Sequence, residues 1–194
     1  MPHHLLQQHQ HLIMKKIRIL ALSGSLRKCS VNTALLNAIR QLAPEHIEVR
    51  LFNHLGELPL FNPDLENEPN QALAALQQEL SMADGVFIAS PEYAHGISGV
   101  LKNALDWLVG SESFPNMPVA LFNTSPRASH AQAALREVIK TMSGNVIEES
   151  SISVPLLGCG LNHEGIVSHT EISAALNRAV HVFVSAIHQT RMAS

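Results

Sequence analysis

Short apolar runs alternate with stretches of helical periodicity five times along this chain, and few architectures accept that alternation. Residues 17–22 read as a first strand, and a helix over about 32–42 follows, with Leu35, Leu36, Ile39 and Leu42 on one face and Pro44 ending it. A second strand alternates Ile47, Val49 and Leu51. After a loop holding Pro59, Pro63 and Pro69, a helix near 71–83 turns Leu73, Leu76 and Leu80 inward. The third strand is 85–89, and its helix carries Leu101, Leu105 and Leu108. The fourth strand is 119–122, with a helix over about 131–142 that stops at Gly144. A fifth strand lies within 146–154. A last helix opens on a capping box, Ser168 and Glu171, and bears the stripe Ile172, Leu176, Val180, Phe183 and Ile187. Strands this apolar are buried on both faces. Strand–helix alternation therefore predicts an α/β fold, a parallel sheet covered by helices on each side.

The chain's 194 residues suit one domain with a sizeable core, here 14–194, and apolar residues make up an ordinary 46%. Residues 1–13 are rich in His and Gln and lack the layout of a signal peptide. They read as a poorly ordered N-terminal extension or tag, with Met14 as the candidate natural start. A net charge of -3 carries no nucleic-acid footprint. No apolar run approaches the roughly 18 residues of a membrane span. Cys29 and Cys159, without a CxxC, suggest neither a zinc site nor a disulfide framework and fit a reducing cytoplasm. His181 and His188 share a helix face but stand two turns apart, about 10 Å, too far to serve one metal.

In such sheets, ligands bind at the carboxyl ends of strands where the winding reverses. Two loops at strand ends carry the chemistry, and both read as opening a helix. The first runs Ser23-Gly24-Ser25-Leu26-Arg27-Lys28-Cys29-Ser30-Val31-Asn32. Helix N-termini offer free N–H groups to a phosphate. Ser25, Ser30 and Asn32 add side-chain donors, and Arg27 adds a charged fork. A helix start capped by Ser and Asn beside a surface Arg is the plainer alternative. The second loop, Ser90-Pro91-Glu92-Tyr93-Ala94-His95-Gly96, holds a rigid Pro and a flat aromatic able to wall a planar ring. Glu92 also reads as a simple surface carboxylate. No GxGxxG follows the first strand and Asn53, not an acid, ends the second, which argues against a dinucleotide fingerprint. No GxxxxGK[ST] is present.

After these loops comes Leu101-Lys102-Asn103-Ala104-Leu105-Asp106-Trp107-Leu108. With Gly24-Ser25-Leu26-Arg27, Ser30, Asn32 and Pro91-Glu92-Tyr93, the chain resembles the NADPH-dependent FMN reductases. That flavodoxin-like group includes quinone, chromate and azo-dye reductases. The resemblance covers about 15–154, and the last 40 residues match loosely. It implies a three-layer sandwich with a five-stranded sheet of order 2-1-3-4-5 and FMN at the reversal between the first and third strands. Ser25, Arg27, Ser30 and Asn32 would hold the phosphate. Pro91, Glu92 and Tyr93 would line the isoalloxazine, and Ser125 would add a contact. NAD(P)H would supply electrons to a small acceptor such as a quinone, flavin, chromate or azo compound. Because the flavin carries the chemistry, no catalytic acid or base is assigned. A homodimer or homotetramer would be expected, with the neighbouring subunit helping to close the flavin site.

Two positions depart from the family's pattern. The usual Asn after the Tyr is Ala94, and the customary Gly-rich stretch after the fourth strand is Ser125-Pro126-Arg127-Ala128-Ser129-His130. Two other readings therefore stay open, a non-catalytic flavodoxin-type electron carrier and a flavin-free regulatory module of the same fold. Cys29 reads either as a reactive thiol beside Arg27 and Lys28 or as small-residue filler. Trp107, off the leucine stripe, reads as a core-edge residue or a subunit contact, and Lys102 with Asp106 as a weak helix pair.

Overall fold

A computed structural model describes residues 16–193; the extension expected over 1–13 lies outside the described residues. In chain order the elements are β1 (Ile17–Ser23), α1 (Val31–Leu42), β2 (Ile47–Phe52), α2 (Gln71–Met82), β3 (Gly85–Ala89), β4 (Glu92–Tyr93), β5 (Gly96–Ile97), α3 (Gly99–Leu108), β6 (Pro118–Phe122), α4 (Ser129–Thr141), β7 (Asn145–Val146), α5 (His163–Ser168) and α6 (Thr170–Ala193). The main sheet runs β2-β1-β3-β6-β7, and every neighbouring pair is parallel. With the small β4–β5 hairpin set aside, that is the expected flavodoxin-like order 2-1-3-4-5.

The period-two geometry of a strand sorts side chains to opposite faces. Ile17, Ile19 and Ala21 of β1, Phe87 and Ala89 of β3, and Ala120 and Phe122 of β6 pack under α1, α5 and α6. Leu20, Leu22, Val86, Ile88, Val119 and Leu121 face the other way, under α2, α3 and α4. Phe87 anchors the first layer, edge-on to Phe122 at 5.2 Å and tilted against Phe183 at 4.8 Å. The chain's apolar runs thus serve two cores, one on each face of a single sheet.

The fifth strand is more broken than an apolar stretch over 146–154 suggests. β7 pairs Val146 with Val119, and the next pairing is an isolated bridge between Asn123 and Ser153. That is four steps along β6 against seven along its partner. The excess is taken up by a single 3-10 turn at Glu148–Ser150. The Ser151 hydroxyl fills the gap: its Oγ accepts from the Leu121 amide at 3.1 Å and donates to the Ile147 carbonyl at 2.9 Å.

Two other expectations are corrected, and one of the two readings of Trp107 is supported. The capping box of Ser168 and Glu171 does not form, because Ser168 closes the short helix α5 and α6 begins at Thr170. His169 stands at that start, its carbonyl accepting from the Ser173 amide at 2.9 Å. The second loop does not open a helix directly; it first folds into the β4–β5 hairpin. Trp107 is turned inward, 5% exposed, with its indole N–H donating to the Pro59 carbonyl at 2.8 Å and Phe61 edge-on at 5.0 Å. It pins the 59–61 loop onto α3, which is the core-edge role. Lys102 and Asp106 do form their helix ion pair.

Candidate functional site

The carboxyl ends of β1, β3 and β6 lie side by side, and the loops leaving them meet. Gly24 makes the meeting possible. Its amide donates to the Ala89 carbonyl at 2.8 Å, and a Cβ there would stand 2.2 Å from the Ser90 hydroxyl oxygen. Only a residue without a side chain lets the first loop lie against the second.

Beyond Gly24, the loop turns into α1. Ser30 is its N-cap, accepting from the Thr33 amide at 3.3 Å. The amides of Val31 and Asn32 fall in the first helical turn, where no preceding carbonyl is placed to accept them. The Asn32 side chain is buried at 4% exposure, and its oxygen accepts from the Thr124 hydroxyl at 2.9 Å. That bond ties the start of α1 to the end of β6, and Ser30 and Ser25 are buried beside it. Among the described residues, Arg27 enters no ion pair. After β6 the chain makes a tight turn: Ser125 accepts from Ala128 at its carbonyl and, at 3.4 Å, from Arg127 at its hydroxyl.

The hairpin supplies the opposite wall. Glu92 pairs with Ile97 and Tyr93 with Gly96, around Ala94 at φ 48° and His95 at φ 59°. Two successive left-handed residues define a tight type I′ turn, a conformation that Asn and Gly tolerate far better than Ala. The Asn usual in the family is therefore a turn residue, and Ala94 holds its place under strain. The His95 ring stacks on His130 of α4, centroids 4.3 Å apart and planes 13° from parallel. The Glu92 carboxylate accepts from the Ala131 amide at 2.8 Å. No side chain caps α4 from its own N-cap, Ala128, so Glu92 reaches over from the hairpin to do so.

All eight residues singled out from sequence, Ser25, Arg27, Ser30, Asn32, Pro91, Glu92, Tyr93 and Ser125, line one cavity of about 290 Å³. The structure adds Val31, Thr124, Arg127, Ala128 and Leu157 to its walls. Thr124 was legible as the last residue before Ser125 at a strand end. Leu157 carried no signal, arriving from a loop with no periodicity of its own.

A family profile for NADPH-dependent FMN reductase matches residues 17–156. The chain belongs to that family. The matched span begins with β1 and ends before α5, so it contains every strand of the main sheet and every residue lining the cavity except Leu157. This family member is 31% identical over 145 residues to a quinone reductase of Escherichia coli strain K12, covering 70% of this chain and 76% of the relative. It is 37% identical over 128 residues to a 2-hydroxy-1,4-benzoquinone reductase of a Burkholderia species, covering 63% and 69%. Its fold is similar to a solved flavoenzyme NAD(P)H:(acceptor) oxidoreductase from Paracoccus denitrificans, with TM-score 0.80 and 28% identity over 89% of this chain and 98% of that one.

Proposed function

We propose that residues 14–194 form one FMN-binding domain that uses NAD(P)H to reduce a small quinone-type acceptor, with FMN held in the cavity between the β1, β3 and β6 loops. The observation that carries this reading is the convergence of eight residues from three separated segments on one cavity. The residues fit the cofactor. At one end, buried hydroxyls and the amide of Asn32 surround the free N–H groups that open α1, and Arg27 stands by without a competing carboxylate. This is a donor set for a dianionic phosphate. The cavity's one lining carboxylate, Glu92, is engaged with α4. At the other end Pro91 and Tyr93 present apolar faces suited to a ring system.

Bound there, FMN would supply the redox chemistry, electron exchange between a reduced nicotinamide and an acceptor. The chain's own residues position and shield. Ser25, Ser30, Asn32 and Arg27 fix the phosphate end, and Thr124 holds Asn32 in register. Pro91 and the paired strands β4 and β5 would hold Tyr93 at the ring end. A cavity of this size would enclose only part of a flavin and would leave room for an acceptor to approach. The relatives named quinone reductase and 2-hydroxy-1,4-benzoquinone reductase support a quinone-type acceptor. The reading places the protein in the cytoplasm, as a homodimer or homotetramer. No helix among the described residues is long and apolar enough to cross a membrane.

Release of the bound cofactor by heat, followed by chromatography, should yield FMN, and the loaded protein should oxidise NADPH when a benzoquinone is added. FAD in place of FMN, or no flavin after reconstitution, overturns the assignment. A loaded protein that leaves NADPH unoxidised is an electron carrier instead.

A further inference from the structure

Among the described residues, two guanidinium groups line the cavity, Arg27 and Arg127. Arg27 stands on the loop before α1, with Ser25, Ser30 and Asn32. Arg127 comes from the loop after β6, in the stretch 125–130 where the chain leaves the family's Gly-rich pattern. The backbone of that loop is held by a chain of hydrogen bonds. The Ser125 amide donates to the Asn123 side-chain oxygen at 3.0 Å, and the Ala128 amide donates to the Ser125 carbonyl at 3.1 Å. The Arg127 amide donates to the Ser125 hydroxyl at 3.4 Å. The guanidinium itself makes no hydrogen bond or ion pair with any described residue.

The loop runs from one end of the cavity to the other. Thr124, before it, holds Asn32 at the phosphate end through a 2.9 Å bond. Ala131, after it, is capped at 2.8 Å by Glu92 of the hairpin. Arg127 is anchored between these two ties and shares the cavity wall with Tyr93, a side chain 54% exposed. The charge there is one-sided. Glu92 is the only acid among the described residues that line the cavity, and its carboxylate is engaged with α4. His95 and His130 stack on each other. Nothing in the wall neutralises Arg127. Its planar fork of donors matches two oxygens of an ionised acid group, and Tyr93 offers flat apolar surface to a ring that carries one.

We propose that Arg127 is a specificity residue for the acceptor: it binds the ionised acid group of a quinone and so favours acidic quinones over uncharged ones. The inference rests on the FMN reading of the cavity. In that reading the phosphate is met by Arg27, by buried hydroxyls and by the free N–H groups that open α1. Arg127 is then a second permanent charge with no anion of its own, on a fixed turn at the wall that a visiting acceptor meets. An acidic quinone gives it a partner and is drawn in by its field. An uncharged quinone makes no such contact and leaves the guanidinium in water.

The test uses the full chain loaded with FMN and two matched acceptors, 1,4-naphthoquinone-2-sulfonate and 1,4-naphthoquinone, with NADPH as donor. Arg127→Ala should lower the ratio of their kcat/KM values, charged over uncharged, roughly tenfold or more, the loss of one charge-assisted contact. Naphthalene-2-sulfonate, which accepts no electrons, gives a readout apart from turnover. In calorimetric titration it should bind the loaded parent, and the alanine variant roughly tenfold or more weakly. Arg127→Lys, which keeps the charge, should recover part of both losses. A chain that takes up no FMN refutes the flavin reading itself. With FMN bound, a ratio unchanged in Arg127→Ala, or a sulfonate that binds parent and variant alike, refutes the acceptor role. No recovery in the lysine variant assigns the loss to the turn and overturns the proposal. An FMN affinity that falls along with the sulfonate's places Arg127 on the flavin phosphate. A KM for NADPH that rises while the ratio holds places it on the nicotinamide nucleotide. Either result also overturns the proposal.

Discussion

The Glu92 carboxylate lies 2.8 Å from the Ala131 amide, so a residue of the loop proposed to line the ring also caps a helix from a different part of the chain. Its neighbours carry the sharper tests. Arg27→Ala should weaken FMN binding by roughly 1.5–3 kcal/mol, one to two decades in dissociation constant. Fluorescence titration with FMN measures this, and an unchanged constant removes Arg27 from the phosphate site. Ala94 sits at φ 48°, where an L-residue is strained by roughly 1–2 kcal/mol. Ala94→Gly should therefore raise the melting temperature, as the strain relieved exceeds the flexibility gained; a lower value would show that the alanine methyl packs usefully. At this scale the site was largely legible. Ser25, Arg27, Ser30 and Asn32 belong to one helix start, and a helix start has a local signature. The second task of Glu92 was not legible, because its partner Ala131 is 39 positions away and nothing in the intervening sequence announces the contact.

Among the elements, those with periodicity were readable and those without it were not. β1, β3 and β6 are buried on both faces, and such strands appear as continuous apolar runs. The β4–β5 hairpin has two residues per strand, too short for alternation to register. The last helix reads as opening at Ser168, because Ser168 and Glu171 have the spacing of a capping box. The actual break at His169 leaves α5 as a separate turn packed against α1 and α6. The interruption of the fifth strand is equally silent, since Ile147 and Ile152 both look like strand residues while the chain between them bulges. Ser151→Ala tests that bulge. It would leave the Leu121 amide, in a residue 1% exposed, without its acceptor. A cost of roughly 1–3 kcal/mol is expected by urea denaturation. A stability equal to the parent's would mean that the backbone closes the gap by itself.

The cavity opens where the sheet reverses direction, with β1 at the pivot between β2 and β3. Assembly belongs to this scale too. The loop pinned by Trp107 leaves Leu60 83% exposed, with Phe61 partly exposed beside it, and Val109 at the end of α3 is 63% exposed. Apolar side chains left out on one side of a helix suit a contact between copies. Leu60→Glu should shift the protein toward monomer in light scattering; a parent that is already monomeric, or a variant that assembles as well as the parent, removes this face from the contact. The two margins of the sheet are a different matter. One is β2, where Arg50 pairs with Glu79 and Glu48 lies nearby. The other is the strand that breaks after Val146 and turns away before it resumes. A straight outer strand is a template on which a neighbouring chain can add its own backbone, and such growth leads to aggregates. Here one margin is guarded by charge and the other has no unbroken row of amides to copy. Neither margin therefore offers a neighbouring chain a straight, uncharged row of amides on which to extend the sheet.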